Sequence, residues 1–274
     1  MIIKMLIENE SLSEAFKTEN GLSLYIETKK HKLLFDCGAG PLFIDNAKTM
    51  DVDLKEVDSL ILSHGHFDHG GGLSAFLKIN DIAKVYLQPK SFDKYYSKRK
   101  DGDKAYIGLE QSLQGNDRFI FTEDEFVIDD ELELFADISG AMFIPSGNRS
   151  LLKEENGIIL ADDFAHEQNL IIREADKYLL VAGCAHRGIV NIIESFRIKK
   201  GFMPDYIIGG FHLYNRSAGR CEDLDVVTAI GEYLLATNAN CYTCHCTGTE
   251  SYHMLKAVMG ERINYLATGS KLTL

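Results

Sequence analysis

The sequence predicts an α/β protein built as a four-layer αββα sandwich, with two sheets inside and helices outside each sheet. Strand-like and helix-like patterns alternate along the 274 residues and fall into two strand-rich halves. No repeat of solenoid length and no low-complexity linker interrupts them. With 45% hydrophobic residues, a chain of this length can close one large core. We therefore expect a single domain over residues 1–274.

The first half begins with strands and then enters a polar loop. Apolar patterning predicts strands at Ile2–Ile7, Ser23–Glu27 and Lys32–Phe35, and a fourth at Val57–Leu62. The fourth strand leads directly into a loop rich in histidine and glycine. After this loop, Leu73–Ile79 has the spacing of an amphipathic helix.

The middle of the chain is less regular. Ser91–Lys104 is basic and rich in tyrosine, Phe119–Phe135 predicts two or three short strands, and Pro145–Glu155 predicts a long loop. We interpret Ser91–Lys104 first as a solvated helix-to-loop surface. As an alternative, a segment around 89–115 covers a substrate, with its cations facing an anionic group and its tyrosines stacking on a ring.

The second half returns to regular alternation of strands and helices. The predicted strands are Asn169–Arg173, Tyr178–Ala182, Tyr206–Ile208 and one that ends near Thr243, and the predicted helices run from Gly188 to about Lys199, from Glu222 to Leu235, and onward from Gly248.

Charge and composition limit the partners. Acidic residues outnumber basic ones by 41 to 29, and the net charge of −12 repels nucleic acid and anionic membranes. No stretch approaches the twenty or so apolar residues of a membrane span, and the N-terminal apolar run is too short for a signal peptide. We expect a cytoplasmic protein with a small-molecule substrate, no membrane partner and six reduced cysteines, and we disfavour nucleic acid. The sequence leaves the oligomeric state open.

Four side chains that commonly bind metals lie close together in the loop after the fourth strand. They are His64, His66, Asp68 and His69. Residues two apart on an extended segment point the same way, so His64 and His66 can reach one ion. Asp68 and His69, one turn further on, can reach a second. Imidazole and carboxylate together suit divalent ions, so we expect two per chain, with zinc favoured and manganese or iron as alternatives.

The segment His64-Gly65-His66-Phe67-Asp68-His69 resembles the HxHxDH signature of the metallo-β-lactamase superfamily. This resemblance implies the αββα fold and a hydrolytic site with one or two metals. The segments LLFDCGAG, HGHFDHGGG, AGCAHRGIVN, GGFHL and CHCTG together resemble a narrower branch, related to the methanopterin-pathway dihydropterin ribofuranosylaminobenzene phosphate synthases.

The resemblance implies further metal ligands in the second half. His245 matches the final histidine of the superfamily, a ligand of the second metal. The position of the usual bridging aspartate, however, carries Cys184. Three readings stay open: a Cys184 thiolate binds, His186 enters the site, or the second metal is held weakly. We favour His186, with His166 as the alternative third histidine.

Two residues receive catalytic roles. Asp68 would bind metal and orient the attacking hydroxide, and His212, at a strand end after two glycines, could protonate a leaving group. A superfamily aspartate at the position of Asp36 supports the motif loop by hydrogen bonding; capping a turn is the alternative. We expect His31 and His253 to be solvated.

These features support three functional hypotheses. The first is a metal-dependent hydrolase that uses metal-bound hydroxide on a small anionic or phosphorylated substrate. The second is a condensing enzyme of the pterin-linked synthase type. The third is a non-catalytic metal or redox sensor using Cys184, Cys244 and Cys246. A separate metal cluster is disfavoured, because strand alternation turns Cys241 away from Cys244 and Cys246. Nuclease activity, known elsewhere in the superfamily, fits the acidic charge least.

Overall fold

Twenty strands and six helices make up the structure, a computed structural model that describes residues 1–274. The strands β1 to β20 are Ile2–Ile7, Ser23–Glu27, Lys32–Phe35, Ser59–Ile61, Lys84–Leu87, Lys94–Lys98, Lys104–Tyr106, Phe119–Phe121, Glu125–Val127, Leu132–Phe135, Leu151–Glu155, Ile158–Ala161, Asn169–Glu174, Lys177–Val181, Tyr206–Gly209, Tyr214–Asn215, Arg220–Cys221, Asn240–Thr243, Ile263–Tyr265 and Lys271–Thr273. The helices α1 to α6 are Leu42–Thr49, Phe67–Gly70, Leu73–Ile79, Ile189–Lys200, Leu224–Ala236 and Thr249–Met259. None of the helices is long and apolar enough to cross a membrane.

Two seven-stranded sheets form the centre of the molecule. The first has the order β20-β1-β2-β3-β4-β5-β8 and the second the order β19-β18-β15-β14-β13-β10-β9. Each sheet has an antiparallel part and a parallel part, the parallel strands being β3, β4, β5 and β8 in one and β14, β15, β18 and β19 in the other. Parallel neighbours need crossover connections, and helices provide most of them.

Three apolar cores separate the layers. One lies between the sheets and takes Ile3 and Phe35 from the first sheet and Leu170 from the second. Another packs α1 and α3 on the first sheet, and a third packs α4, α5 and α6 on the second. Adjacent residues of β13 show the layering, since Leu170 faces the core between the sheets and Ile171 faces the helices. The predicted αββα sandwich is therefore confirmed.

The middle segment differs from prediction. Pro145–Glu155, predicted as a long loop, contains a 3₁₀ turn at Ser146–Ser150 followed by β11. Ser91–Lys104 is also strand-rich, because β6 pairs with β11 in a separate sheet of order β12-β11-β6-β7. Such pairing depends on segments far apart in sequence, so local composition gives little sign of it. The sequence patterns also missed α1 and β5.

Candidate metal centre

The predicted site residues converge where parallel strands of both sheets end. Carboxyl ends of parallel strands meet at one edge of a sheet and commonly form ligand sites there. Asp36 follows β3, the histidine-rich motif follows β4, Cys184 and His186 follow β14, His212 follows β15, and His245 follows β18. The imidazole rings of His64 and His186, from different sheets, have centroids 5.0 Å apart.

His64, His66 and His186 form the first candidate ion position. One ring nitrogen from each lies within 4.8 Å of the others. Their Nε2 atoms are buried and make no hydrogen bond in the protein, the nearest carboxylate oxygen being Asp162 Oδ2 at 3.6 Å from His66 Nε2. A buried polar atom left unpaired costs about 1–3 kcal/mol, so three together in one place need an explanation. A divalent ion accepting three imidazole nitrogens satisfies all of them, so these residues fit the metal that the motif implies.

The other ring nitrogen of four histidines faces an oxygen acceptor, which directs Nε2 of each ring toward the centre. The Nδ1 contacts are His64 with Ser63 Oγ at 2.9 Å, His69 with Asp36 Oδ2 at 2.7 Å, His186 with Asn148 Oδ1 at 3.0 Å, and His245 with Asn9 Oδ1 at 2.8 Å. Burial lowers the pKa of His64 and His186 well below its ordinary value, and neighbouring imidazoles lower it further. Both rings are therefore neutral, as ligands must be.

His166 has the opposite arrangement. Its Nδ1 accepts a hydrogen bond from the backbone N–H of Gly65 at 2.8 Å, so its proton is on Nε2. That Nε2–H points at Oδ2 of Asp162, 3.2 Å away. No lone pair remains for an ion. Of the two alternatives for the third histidine, the geometry therefore favours His186, and it gives His166 the task of fixing the backbone of the motif.

The second candidate position combines the rest of the motif with the loops after β14 and β18. His69 Nε2 lies 3.1 Å from Cys184 Sγ, and His245 Nε2 lies 3.7 Å from Asp68 Oδ2. Cys184 belongs to one group of close ligand atoms with His64 and His69, and to another with His245 and Cys246. Its sulfur therefore lies between the two positions, where the superfamily usually has an aspartate. The structure thus brings both Cys184 and His186 to the centre.

Cys246 also faces the centre, although the sequence assigns it a role only in the sensor hypothesis. His245 has a left-handed backbone with φ of 51°, and the following 3₁₀ turn directs both His245 and Cys246 to the cavity. Cys244 instead belongs to the core between the sheets, so the predicted pairing of Cys244 and Cys246 on one face is wrong. A thiol directly after the final histidine was the available signal.

The two thiols have opposite pKa shifts. Burial raises the pKa of Cys184 well above its ordinary value, and the adjacent Cys246 raises it further. Burial also acts to raise the pKa of Cys246, but hydrogen bonding to Cys184 and His212 lowers it well below the ordinary value. A thiolate at Cys246 is a soft donor, as zinc prefers.

A cavity of about 830 Å³ opens above the centre. Asp68 and His212, the predicted catalytic residues, both line it. Burial acts to raise the pKa of Asp68, but the neighbouring imidazoles of His69 and His245 lower it below the ordinary value, so the carboxylate is ionised. Asn20 Nδ2 donates to Asp68 Oδ2 at 3.1 Å. The ring of His212 lies 4.3 Å from that of His186, and its buried Nδ1 has no partner in the protein.

Residues 17–142, which include the motif, match the model of the metallo-β-lactamase superfamily. Over these residues the chain carries a metallo-β-lactamase superfamily domain. It is 28% identical over 270 residues to the 7,8-dihydropterin-6-methyl-4-(β-D-ribofuranosyl)-aminobenzene-5′-phosphate synthase of Methanocaldococcus jannaschii, covering 93% of this chain and 90% of the relative. It is 27% identical over 254 residues to the uncharacterized protein MJ0448 of the same organism, covering 90% and 91%.

A solved structure shows the same superfamily fold. The crystal structure of Tm1679, described as a metal-dependent hydrolase of the β-lactamase superfamily, superposes with a TM-score of 0.81 at 28% identity, covering 100% of this chain and 99% of that one. The predicted resemblance to the superfamily and to the synthase branch is confirmed. Superfamily domains of this kind typically bind divalent metals, and this one has a metal-dependent hydrolase-like fold.

Proposed function

We propose that this protein is a metal-dependent hydrolase acting on a small anionic or phosphorylated substrate in the cavity beside Asp68. The main support is the set of three buried Nε2 atoms without a partner, on His64, His66 and His186. In this proposal those histidines hold one ion. Asp68, His69 and His245 hold the second together with Cys184, and zinc is the favoured metal because imidazole and thiolate ligands suit it.

Bound divalent ions supply Lewis acidity and activate water for attack. The ionised carboxylate of Asp68 is placed to accept a hydrogen bond from that water and orient it, since it lines the cavity. His212 would give its proton to the leaving group, and its Nδ1 has no competing partner in the protein.

Elemental analysis of the purified protein, combined with a substrate panel, tests this proposal. We expect about two zinc or other divalent ions per chain, and turnover of at least one phosphomonoester, phosphodiester or lactone. Turnover should be lost in His66→Ala and kept in His253→Ala, since His253 is exposed on α6. A preparation that stays active after exhaustive dialysis against a chelator would exclude this function.

A condensing activity of the synthase type is the second candidate, because the similarity to the M. jannaschii synthase extends over 93% of this chain. It predicts binding of a dihydropterin diphosphate and product formation with a ribosylated aminobenzene phosphate. Hydrolysis of generic esters without any pterin binding would argue against it. The sensor hypothesis predicts a metal or oxidation response with no turnover, so the same panel also tests it.

A further inference from the structure

A second, strongly basic pocket adjoins the catalytic cavity. It has a volume of about 310 Å³ and shares four lining residues with that cavity, so the two lie side by side. The shared residues are Arg99, Ser150, Asn215 and Ser217. Five of the ten residues that line the second pocket are cations, and none is acidic; the cations are Lys98, Arg99, Lys100, Arg149 and Arg220.

These cations have no counter-ion in the protein. No carboxylate oxygen lies within 4.0 Å of any of the five side-chain cations. By contrast, Lys94 on β6 and Lys153 on β11 lie on the same four-stranded sheet as Lys98 and do form ion pairs, with Glu154 and Asp163 respectively. The chain has a net charge of −12, yet five cations without a counter-ion line this one pocket. Positive charge is therefore concentrated there. The cations repel one another, and an anion bound among them relieves that repulsion.

The pocket is built from three segments that contact one another and the metal centre. Arg149 belongs to the 3₁₀ turn at Ser146–Ser150, and its neighbour Asn148 faces Nδ1 of His186 at 3.0 Å and donates to the His186 carbonyl at 2.7 Å. The Ser146 N–H donates to the carboxylate of Glu222 at 2.6 Å, which ties this turn to the segment after the β16–β17 hairpin. The pocket therefore has a fixed position relative to the metal centre.

The same hairpin also contacts the end of β6. Ser97 Oγ and Ser217 Oγ lie 3.5 Å apart, so the segments that carry Lys98 and Arg220 are held beside each other. Ser150, Ser217 and Asn215 add hydroxyl and amide groups to the pocket wall. Guanidinium groups with hydroxyl and amide donors are the set that recognises phosphate oxygens.

We infer that this pocket binds a phosphoryl group that the substrate carries away from its reacting bond. The identification of this ligand as the substrate of the metal centre rests on the proposed function. The affinity of the pocket for phosphate does not depend on the proposed function. A phosphate monoester carries a charge of about −2 at neutral pH. Five cations match the larger charge of a diphosphate better, so diphosphate should bind more tightly than monophosphate.

Calorimetric titration of the metal-loaded protein with inorganic pyrophosphate and with inorganic phosphate tests this inference. We expect pyrophosphate to bind more tightly, and Arg149→Ala/Arg220→Ala to weaken its binding by about tenfold or more, the usual scale for losing charged hydrogen bonds. Lys55→Ala/Lys78→Ala makes the same charge change at exposed residues outside both pockets and should bind like the wild type.

His66→Ala separates this pocket from the metal centre. If His66→Ala keeps pyrophosphate binding, the pocket acts independently of the metals. If His66→Ala loses pyrophosphate binding and Arg149→Ala/Arg220→Ala keeps it, pyrophosphate binds at the metals and the inference fails. Equal binding by the wild type and the arginine variant also overturns it. Tight binding of a short single-stranded RNA without binding of pyrophosphate would assign the pocket to nucleic acid instead, and would likewise refute the inference. None of these outcomes depends on whether a hydrolysed substrate is found.

Discussion

His69 Nδ1 lies 2.7 Å from Oδ2 of Asp36, and both side chains are fully buried. The same carboxylate accepts hydrogen bonds from the backbone N–H and the hydroxyl of Ser63, each at 2.7 Å. Asp36 therefore links the end of β3 to the start of the motif and aims His69 Nε2 at Cys184. Its backbone is left-handed, with φ of 59°, a conformation that aspartate and asparagine tolerate best among residues other than glycine.

Asp36→Asn should weaken metal binding at the second position by about 10–100-fold, the usual effect of removing a hydrogen-bond partner of a ligand. Asparagine keeps the size and the backbone conformation, but its amide NH₂ would face a hydrogen-bond donor, either on Ser63 or on His69. Competition with a chromophoric chelator measures the affinity. Asp45→Asn, at an exposed ion pair with Lys17, is the control and should not change it. Unchanged affinity in Asp36→Asn would mean that His69 is not a ligand.

Matched substitutions separate the two candidate third histidines. His186→Gln should lose one bound ion, since it removes the ring whose Nε2 is free. His166→Gln should keep the ions but lower the free energy of unfolding by about 1–3 kcal/mol, because the Gly65 N–H and Asp162 lose their partner. Elemental analysis and urea unfolding of both variants provide the measurements. The reverse pattern would assign the ligand to His166.

Part of this arrangement could be predicted from sequence because it is local. The bounds of β1, β2 and β3 match prediction, since buried runs between polar turns define them. The motif is contiguous, so its four candidate ligands could be chosen together. The choice between His166 and His186 could not be made, because it depends on a hydrogen bond from Gly65, about a hundred residues before His166. The separation of Cys246 from Cys244 could not be predicted either, because one left-handed residue, His245, changes which side chains share a face.

Thiolate ligation can be read from the spectrum of a cobalt-substituted protein. Cys184 and Cys246 sulfurs lie within 4.8 Å of a His245 ring nitrogen, so we expect an intense sulfur-to-cobalt charge-transfer band in the near ultraviolet. Cys184→Ser and Cys246→Ser should each weaken the band. Cys221→Ser, whose sulfur faces Glu250 instead, should leave it intact. A wild-type protein without the band would show that neither sulfur binds.

His31 connects the two sheets and should make stability depend on pH. It was expected to be solvated, but its Nδ1 lies 3.1 Å from Asp58 and its Nε2 lies 2.8 Å from Asp129. Although burial acts to lower the pKa of His31, hydrogen bonds to Asp129 and Asp58 raise it above its ordinary value. A raised histidine pKa stabilises the fold fully below the unfolded-state value, and the stabilisation is lost as pH rises through the folded-state value.

The free energy of unfolding of the wild type should therefore exceed that of His31→Gln most clearly below about pH 6.5, and the difference should shrink at higher pH. Urea unfolding of both proteins across this range measures it. His253→Gln, which replaces an exposed histidine, controls for a general effect of removing an imidazole. A difference between wild type and His31→Gln that does not change with pH would rule out this role.

Gly65, between the first two motif histidines, is packed too tightly for any side chain. A Cβ there would lie 2.3 Å from the carbonyl oxygen of Ser91 and 2.9 Å from its carbonyl carbon, both backbone atoms that cannot rotate away. Gly65→Ala should therefore move the motif loop away from the segment before β6 and lower the free energy of unfolding by about 1–3 kcal/mol. Because the displaced backbone carries His64 and His66, metal affinity should fall as well.

Gly115→Ala, where a Cβ meets no atom within 4 Å, is the matched control and should change stability by less than about 0.5 kcal/mol. If both variants unfold alike and bind metal alike, the contact with Ser91 does not position the motif.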